Sequence, residues 1–267
     1  MSLDIRQALQ AGYDDLTSTA GYNVFTVLLV FNIGYEAVSQ SFRQQLLVTA
    51  PGVQAPWGFT PPFDIDMLAF ELPLSVLVAL TVAAVVSHEA VRFWAIQQFA
   101  ESPVPTLQER ARILLAVGGG VALSVYGVRQ ALLVFWYGPG FEMGIRSPLF
   151  VSVAVAPILL VTVYLRQEIA LTAAGPTETV RNSLARFRRA PVQIFGLLLL
   201  LIVLGQLAIL PSAVVTRVVT VRTGTTHSVL VDVLNRVLSA ALSTFSIAAI
   251  TEAYLQVRGG EDAAGAE

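Results

Sequence analysis

No cysteine and no lysine occur among the 267 residues, and histidine occurs only twice. Without cysteine the chain can hold no disulfide, thiolate nucleophile or thiolate-bound iron–sulfur cluster. Without lysine it can form no Walker-type phosphate loop, although Gly118-Gly119-Gly120 is a glycine run. Charge is scarce too: 13% of residues are charged, against ~25% in soluble domains. The basic residues are all arginine, which fits the codon usage of a GC-rich genome. A net charge of −2 argues against a nucleic-acid partner. The first 20 residues include Asp4, Arg6, Asp14 and Asp15 and lack an apolar core, so no cleaved signal peptide is expected there.

What the chain has instead is long apolar runs. Hydrophobic residues make up 55% of it and the mean hydropathy is +0.70. A helix needs roughly 20 apolar residues to cross a bilayer. Six stretches come close to or exceed that length, at about 22–38, 72–93, 113–136, 148–164, 192–210 and 229–254. They do not alternate as barrel strands do, and backbone groups in lipid must be satisfied internally, so they are read as helices. The expected fold is an all-α, polytopic helical bundle: one membrane domain over residues 1–258, then a disordered acidic tail over 259–267. Ile5, Leu9 and Leu16 recur at helical spacing, which predicts a short interfacial helix over 3–19. Residues 39–66, broken by Pro51, Pro56, Pro61 and Pro62, are expected to form a loop. Pro73 suits a first helical turn. Thr106 and Glu109 match a capping box. Pro157 falls within the fourth run, Pro211 should end the fifth, and 213–227 reads as a loop or frayed extension.

The stretch 164–205 sets the orientation. One apolar run ends there, a short basic helix follows, and the next run begins at Val192. Six spans put both termini on one side. Ten arginines then fall on that side (Arg6, Arg92, Arg110, Arg112, Arg166, Arg181, Arg186, Arg188, Arg189, Arg258) and four on the other (Arg43, Arg146, Arg217, Arg222). By the positive-inside rule the termini are expected to be cytoplasmic, in a cell membrane. Trp57, Trp94 and Trp136 fall at span edges, as an aromatic belt does. In the basic helix Val180, Leu184 and Phe187 form an apolar face. Arg181, Arg186, Arg188 and Arg189 lie on or near the other, where they are expected to meet anionic lipid.

Several segments carry a resemblance. They are Gln167-Glu168-Ile169-Ala170, Gly175-Pro176, Val180-Arg181-Asn182-Ser183 and Phe195-Gly196-Leu197-Leu198, with Ala248-Ala249-Ile250-Thr251-Glu252-Ala253-Tyr254-Leu255 near the end and Asp4-Ile5-Arg6-Gln7-Ala8-Leu9 and Asp15-Leu16-Thr17-Ser18 at the start. In these the chain resembles a family of six-span membrane proteins of halophilic archaea, itself similar to the membrane domain of some glycerophosphodiester phosphodiesterases. The resemblance covers about a third of the chain. It implies a six-helix membrane module and no assigned activity, since the phosphodiesterase domain is not in this sequence.

Candidate chemistry is thin. His88-Glu89-Ala90-Val91-Arg92 opens like a zinc-protease helix, but Arg92 stands where the second histidine would be needed, so a polar cluster with a Glu89–Arg92 pair is expected. The glycine run suits close helix packing, with a hinge as the alternative. Ser239, Ser243 and Ser246 have no histidine at their depth to activate a nucleophile. The ionisable residues inside spans are the best lead: Glu36, Arg129, Asp232 and Arg236 fall at similar depth and are expected to form a polar cluster in the outer third, with Arg129 touching Glu36 or Asp232. No catalytic residue, metal ligand or cofactor is assigned. The expected function is a non-enzymatic module binding membrane lipid, another membrane protein or a second copy of itself. The alternative is a small transporter or channel-like subunit.

Overall fold

The computed structural model describes residues 3–49, 70–100, 105–137, 158, 160, 162–223 and 229–264. Among these the chain is helical, with no strand. Helix α1 spans Ile5–Leu16, α2 Thr19–Thr49, α3 Leu74–Gln98, α4 Leu107–Ile113, α5 Gly120–Tyr137, α6 Leu165–Leu171, α7 Pro176–Arg189, α8 Pro191–Thr223 and α9 Val229–Ala264. A π-helical turn, Leu114–Gly119, joins α4 to α5. Five stretches are long and apolar enough to cross a membrane: Thr19–Ser39, Leu74–Gln98, Leu107–Val128, Pro191–Ala208 and Val233–Gly259. The expected fourth span lies almost wholly outside the described residues.

Local sequence sets several boundaries. Thr106 accepts from the Glu109 N–H at 3.3 Å, and the Glu109 carboxylate accepts from the Thr106 N–H at 2.7 Å, so the capping box forms as expected. Pro176 opens α7 at the first helical position, where its missing N–H costs nothing. Pro73 instead stands one residue before α3, as its cap. Three expectations change. Helix α2 runs on to Thr49, so the first third of the expected loop is helical. Helix α8 passes through Pro211 to Thr223, because a membrane helix can tolerate a freed carbonyl that neighbours satisfy. Helix α9 continues to Ala264, through most of the expected disordered tail: once a helix is packed, each further residue adds a bond at little cost.

Helices α3 and α9 are the hubs. Helix α9 packs on α1, α2, α3, α7 and α8, and α3 packs on α2, α5, α6 and the π turn. Side chains from α1, α3, the π turn, α6, α8 and α9 and the residues just before α1 and α6 converge at one end of the bundle: Leu3 and Ala8, Phe93 and Ile96, Leu114, Val163 to Leu165, Ile194, Ala253 and Tyr254. This is the end where the ten arginines lie. The opposite pattern holds along α8, where Leu199, Leu200, Ile202, Val203, Leu204 and Leu207 are all exposed. A run of apolar side chains turned outward suits lipid and not water.

Helix α1 lies on the last helix. Its small residues Ala8 and Gly12 are buried there, and a Cβ built on Gly12 would stand 2.9 Å from the Ala249 Cβ. Gln7 Nε2 donates to Glu252 Oε1 at 3.1 Å, and the Asp4 N–H donates to Gln256 Oε1 at 3.0 Å. The inner face of this amphipathic helix therefore meets protein. Gly12→Leu is expected to lift α1 from α9 and to cost about 1–3 kcal/mol, as overpacking does. Thermal unfolding in detergent checks this, and an unchanged midpoint would contradict the contact.

The glycine run serves packing. A Cβ at Gly118 would meet Leu114 at 3.3 Å and Ile169 at 3.6 Å, and one at Gly119 would meet Val86 at 3.7 Å. These glycines let the π turn approach α3 and α6 closely.

Candidate functional site

The polar groups of the arginine-rich end are built around α6. Six of its seven residues are buried: Leu165, Gln167, Glu168, Ile169, Ala170 and Leu171. A buried helix end needs partners for its last carbonyls. Here they come from three other elements. Arg110, itself buried, donates Nε to the Ile169 carbonyl at 3.0 Å and Nη1 to the Ala174 carbonyl at 2.6 Å. Gln97 Nε2 donates to the Ala170 carbonyl at 3.2 Å and to that of Pro105 at 2.6 Å. Arg258 Nη1 donates to the Leu171 carbonyl at 3.4 Å. Two arginines at a helix C-terminus also complement its dipole.

On the other side of α6, Glu168 is fully buried and forms an ion pair with Arg186 of α7. Arg186 also donates Nη1 to the Tyr254 hydroxyl at 2.7 Å, and its guanidinium lies 4.9 Å from the Tyr254 ring centre. Tyr164 meets that ring edge-on at 5.6 Å. The Tyr164 hydroxyl, Gln167 Oε1, Ser183 Oγ and Thr251 Oγ1 are buried without a hydrogen-bond partner among the described residues. This core joins α6, α7 and α9.

A second charged group lies deeper, between α3 and α6. Glu89 is 3% exposed and receives two bonds from Arg166, Nε at 2.6 Å and Nη2 at 2.9 Å. Arg92 Nη1 adds a third at 3.1 Å, so the expected Glu89–Arg92 pair is present. The His88 ring stacks on Phe31 of α2 at 5.2 Å and lies 6.1 Å from the Tyr35 ring.

The residues singled out by sequence fare differently. Glu36 and Arg236 form an ion pair at 3.1 Å, joining α2 to α9. The side chains of Arg129 and Asp232 lie outside the described residues, and with them the expected Arg129 contact. Arg181, Arg188 and Arg189 are exposed. Arg186 does not face lipid: it is buried against Glu168 and Tyr254. Of the four arginines only Arg186 departs from the expectation. The buried residues of α7 are Thr179, Ser183 and Arg186, Phe187 packs partly buried against the core, and Val180 is 47% exposed. The reason for Arg186 is the buried Glu168, whose charge draws the guanidinium inward. To the residues expected from sequence the structure adds Arg110, Arg166, Glu168 and Tyr254. The signal for Glu168 was a lone carboxylate followed by Ile169-Ala170-Leu171, with no solvent-facing pattern around it. Among the described residues no group of histidines and carboxylates could hold a metal ion. Neither the protein-family models, nor the curated proteins, nor the solved structures compared with this chain match it.

Proposed function

We propose that the chain is a six-span membrane module whose arginine-rich end faces the cytoplasmic leaflet and binds anionic lipid there. The observation that carries this reading is the division of α7. Its Thr179, Ser183 and Arg186 are locked to the protein, while Arg181, Arg188 and Arg189 are exposed beside Val180. A helix held by one face with arginines and an apolar residue on the other suits a headgroup surface. On this reading no residue has a catalytic role and no cofactor is needed. The same surface could equally seat an acidic segment of another membrane protein or a second copy. The likeness to the six-span archaeal family belongs to the proposal too. It is supported by the segments that carry it, which supply Glu168 and Tyr254 to the buried core.

The test is lipid retention. Each arginine near an anionic surface contributes ~1 kcal/mol, so Arg181→Gln, Arg188→Gln and Arg189→Gln together should weaken anionic-lipid binding by up to about 3 kcal/mol, roughly a hundredfold. Native mass spectrometry of the detergent-purified protein should show anionic lipid on the natural chain and much less on the triple variant. Equal lipid content on both would overturn the reading.

One observation favours the alternative, a small transporter or channel-like subunit. The Glu36–Arg236 pair puts opposite charges inside two spans. Such pairs line substrate paths as well as braces. Solute flux into liposomes that Glu36→Gln abolishes would select this reading.

A further inference from the structure

The Glu89 group has a charge surplus. One carboxylate meets two guanidiniums, Arg92 and Arg166, and neither arginine meets another carboxylate among the described residues. A surplus charge in an apolar surround calls for a counter-charge. The group is also one-sided in its exposure. Glu89 is 3% exposed, whereas Arg166 is 25% and Arg92 33% exposed, so its open side is its cationic side. Arg92 keeps Nε and Nη2, and Arg166 keeps Nη1, without a hydrogen bond among the described residues.

The depth suits a headgroup. Arg92 lies six residues from the end of α3 at Gln98. At ~1.5 Å per residue that is about 9 Å, within reach of the phosphate level for a long, snorkelling side chain. Two forked guanidinium groups present several N–H donors in fixed directions, which matches an oxyanion with oxygens on more than one side.

We propose that Arg92 and Arg166 together bind one phosphate group, which approaches from the open side and balances the charge that Glu89 leaves over. This rests on the lipid-binding reading and places within it a single defined site, apart from the diffuse attraction of α7. A phosphate of this kind could belong to a lipid headgroup or come free from solution.

The variants separate charge from fold. Arg92→Gln leaves the two-bond Glu89–Arg166 pair in place, so the group becomes neutral with its best contact intact. Arg92→Lys keeps the charge and loses the fork. Glu89→Gln raises the surplus to two. The full chain in neutral detergent is titrated with phosphatidylglycerol in mixed micelles, and separately with inorganic phosphate alone. Both are read by native mass spectrometry and thermal shift. The expected result is one tightly held phosphatidylglycerol on the α7 triple variant, and on the natural chain the same one in addition to the lipids that α7 holds. Arg92→Gln should bind it at least about tenfold more weakly, Arg92→Lys to an intermediate degree, and Glu89→Gln more strongly. A response to inorganic phosphate that Arg92→Gln removes would support the site with a soluble oxyanion as its ligand. One retained lipid unaffected by Arg92→Gln would overturn the site and leave the lipid reading standing. No retained phosphatidylglycerol and no phosphate response would overturn both.

Discussion

Replacing Glu168 with glutamine is expected to destabilise the protein by about 3–5 kcal/mol, as removal of one partner of a buried ion pair does. The carboxylate is fully buried and is the ionic partner of Arg186. The Tyr254 hydroxyl and the face of its ring, which Arg186 also meets, carry no negative charge. A hydrogen bond and a cation–π contact of ~2 kcal/mol do not replace a desolvated counter-ion. The loss should appear as a lowered thermal midpoint in detergent and as faster proteolysis at the junction of α6 and α7. Replacing both residues together, Glu168→Leu with Arg186→Met, should recover most of the loss, since apolar side chains of similar volume often substitute for a buried pair. A double variant as unstable as the sum of its parts would show that the two residues act separately.

Arg110→Leu is expected to cost about 2–4 kcal/mol, for a different reason. Arg110 is buried and has no carboxylate partner among the described residues, and its two bonds go to the carbonyls of Ile169 and Ala174. Leucine would leave the Ile169 carbonyl unpaired and the Ala174 carbonyl with the 3.4 Å bond from the Thr179 hydroxyl, at ~1–3 kcal/mol for each buried group left short of a partner, partly offset by relief of a buried charge. The Nη2 of Arg110 has no partner among the described residues, which reduces what the native residue contributes. Arg110→Gln, which can still reach one carbonyl, should recover part of the loss. Thermal unfolding of the two variants side by side decides it. Equal stability of Arg110→Leu and the natural chain would mean that α6 does not need this cap.

The helical class was legible because apolar runs and end signals are local. Thr106 and Glu109 declare a helix start from within four residues, and the structure carries the reciprocal bonds. The run at 192–210 lies within α8, and that at 72–93 lies within α3 but for its first two residues, for the same reason. The Glu89–Arg92 pair was legible because residues three apart on a helix are neighbours. What could not be read was long-range. The docking of α1 on α9 pairs Gln7 with Glu252, and nothing local to either residue marks it.

A charge inside an apolar run stands out in the sequence, and Glu36 and Arg236, which do pair, are of that kind. Arg166 and Glu168 stand just past the edge of a run, where charge is ordinary, and yet they are held by Glu89 and Arg186. The burial of Arg186 is long-range as well. Within α7 the four arginines look alike, and the carboxylate that draws in Arg186 stands on α6.

The account depends most on which side of the membrane the arginine-rich end faces. The chain has no cysteine, so single cysteines can be placed in an otherwise unreactive background. Ala185 is exposed on α7 at the arginine-rich end, and Glu71 is exposed just before α3 at the other. Ala185→Cys and Glu71→Cys, each alone, are treated with a membrane-impermeant maleimide in intact cells and in lysed cells. The account predicts that Glu71→Cys is labelled in intact cells and Ala185→Cys only after lysis. Labelling of Ala185→Cys in intact cells would put the arginines on the outer face and contradict it.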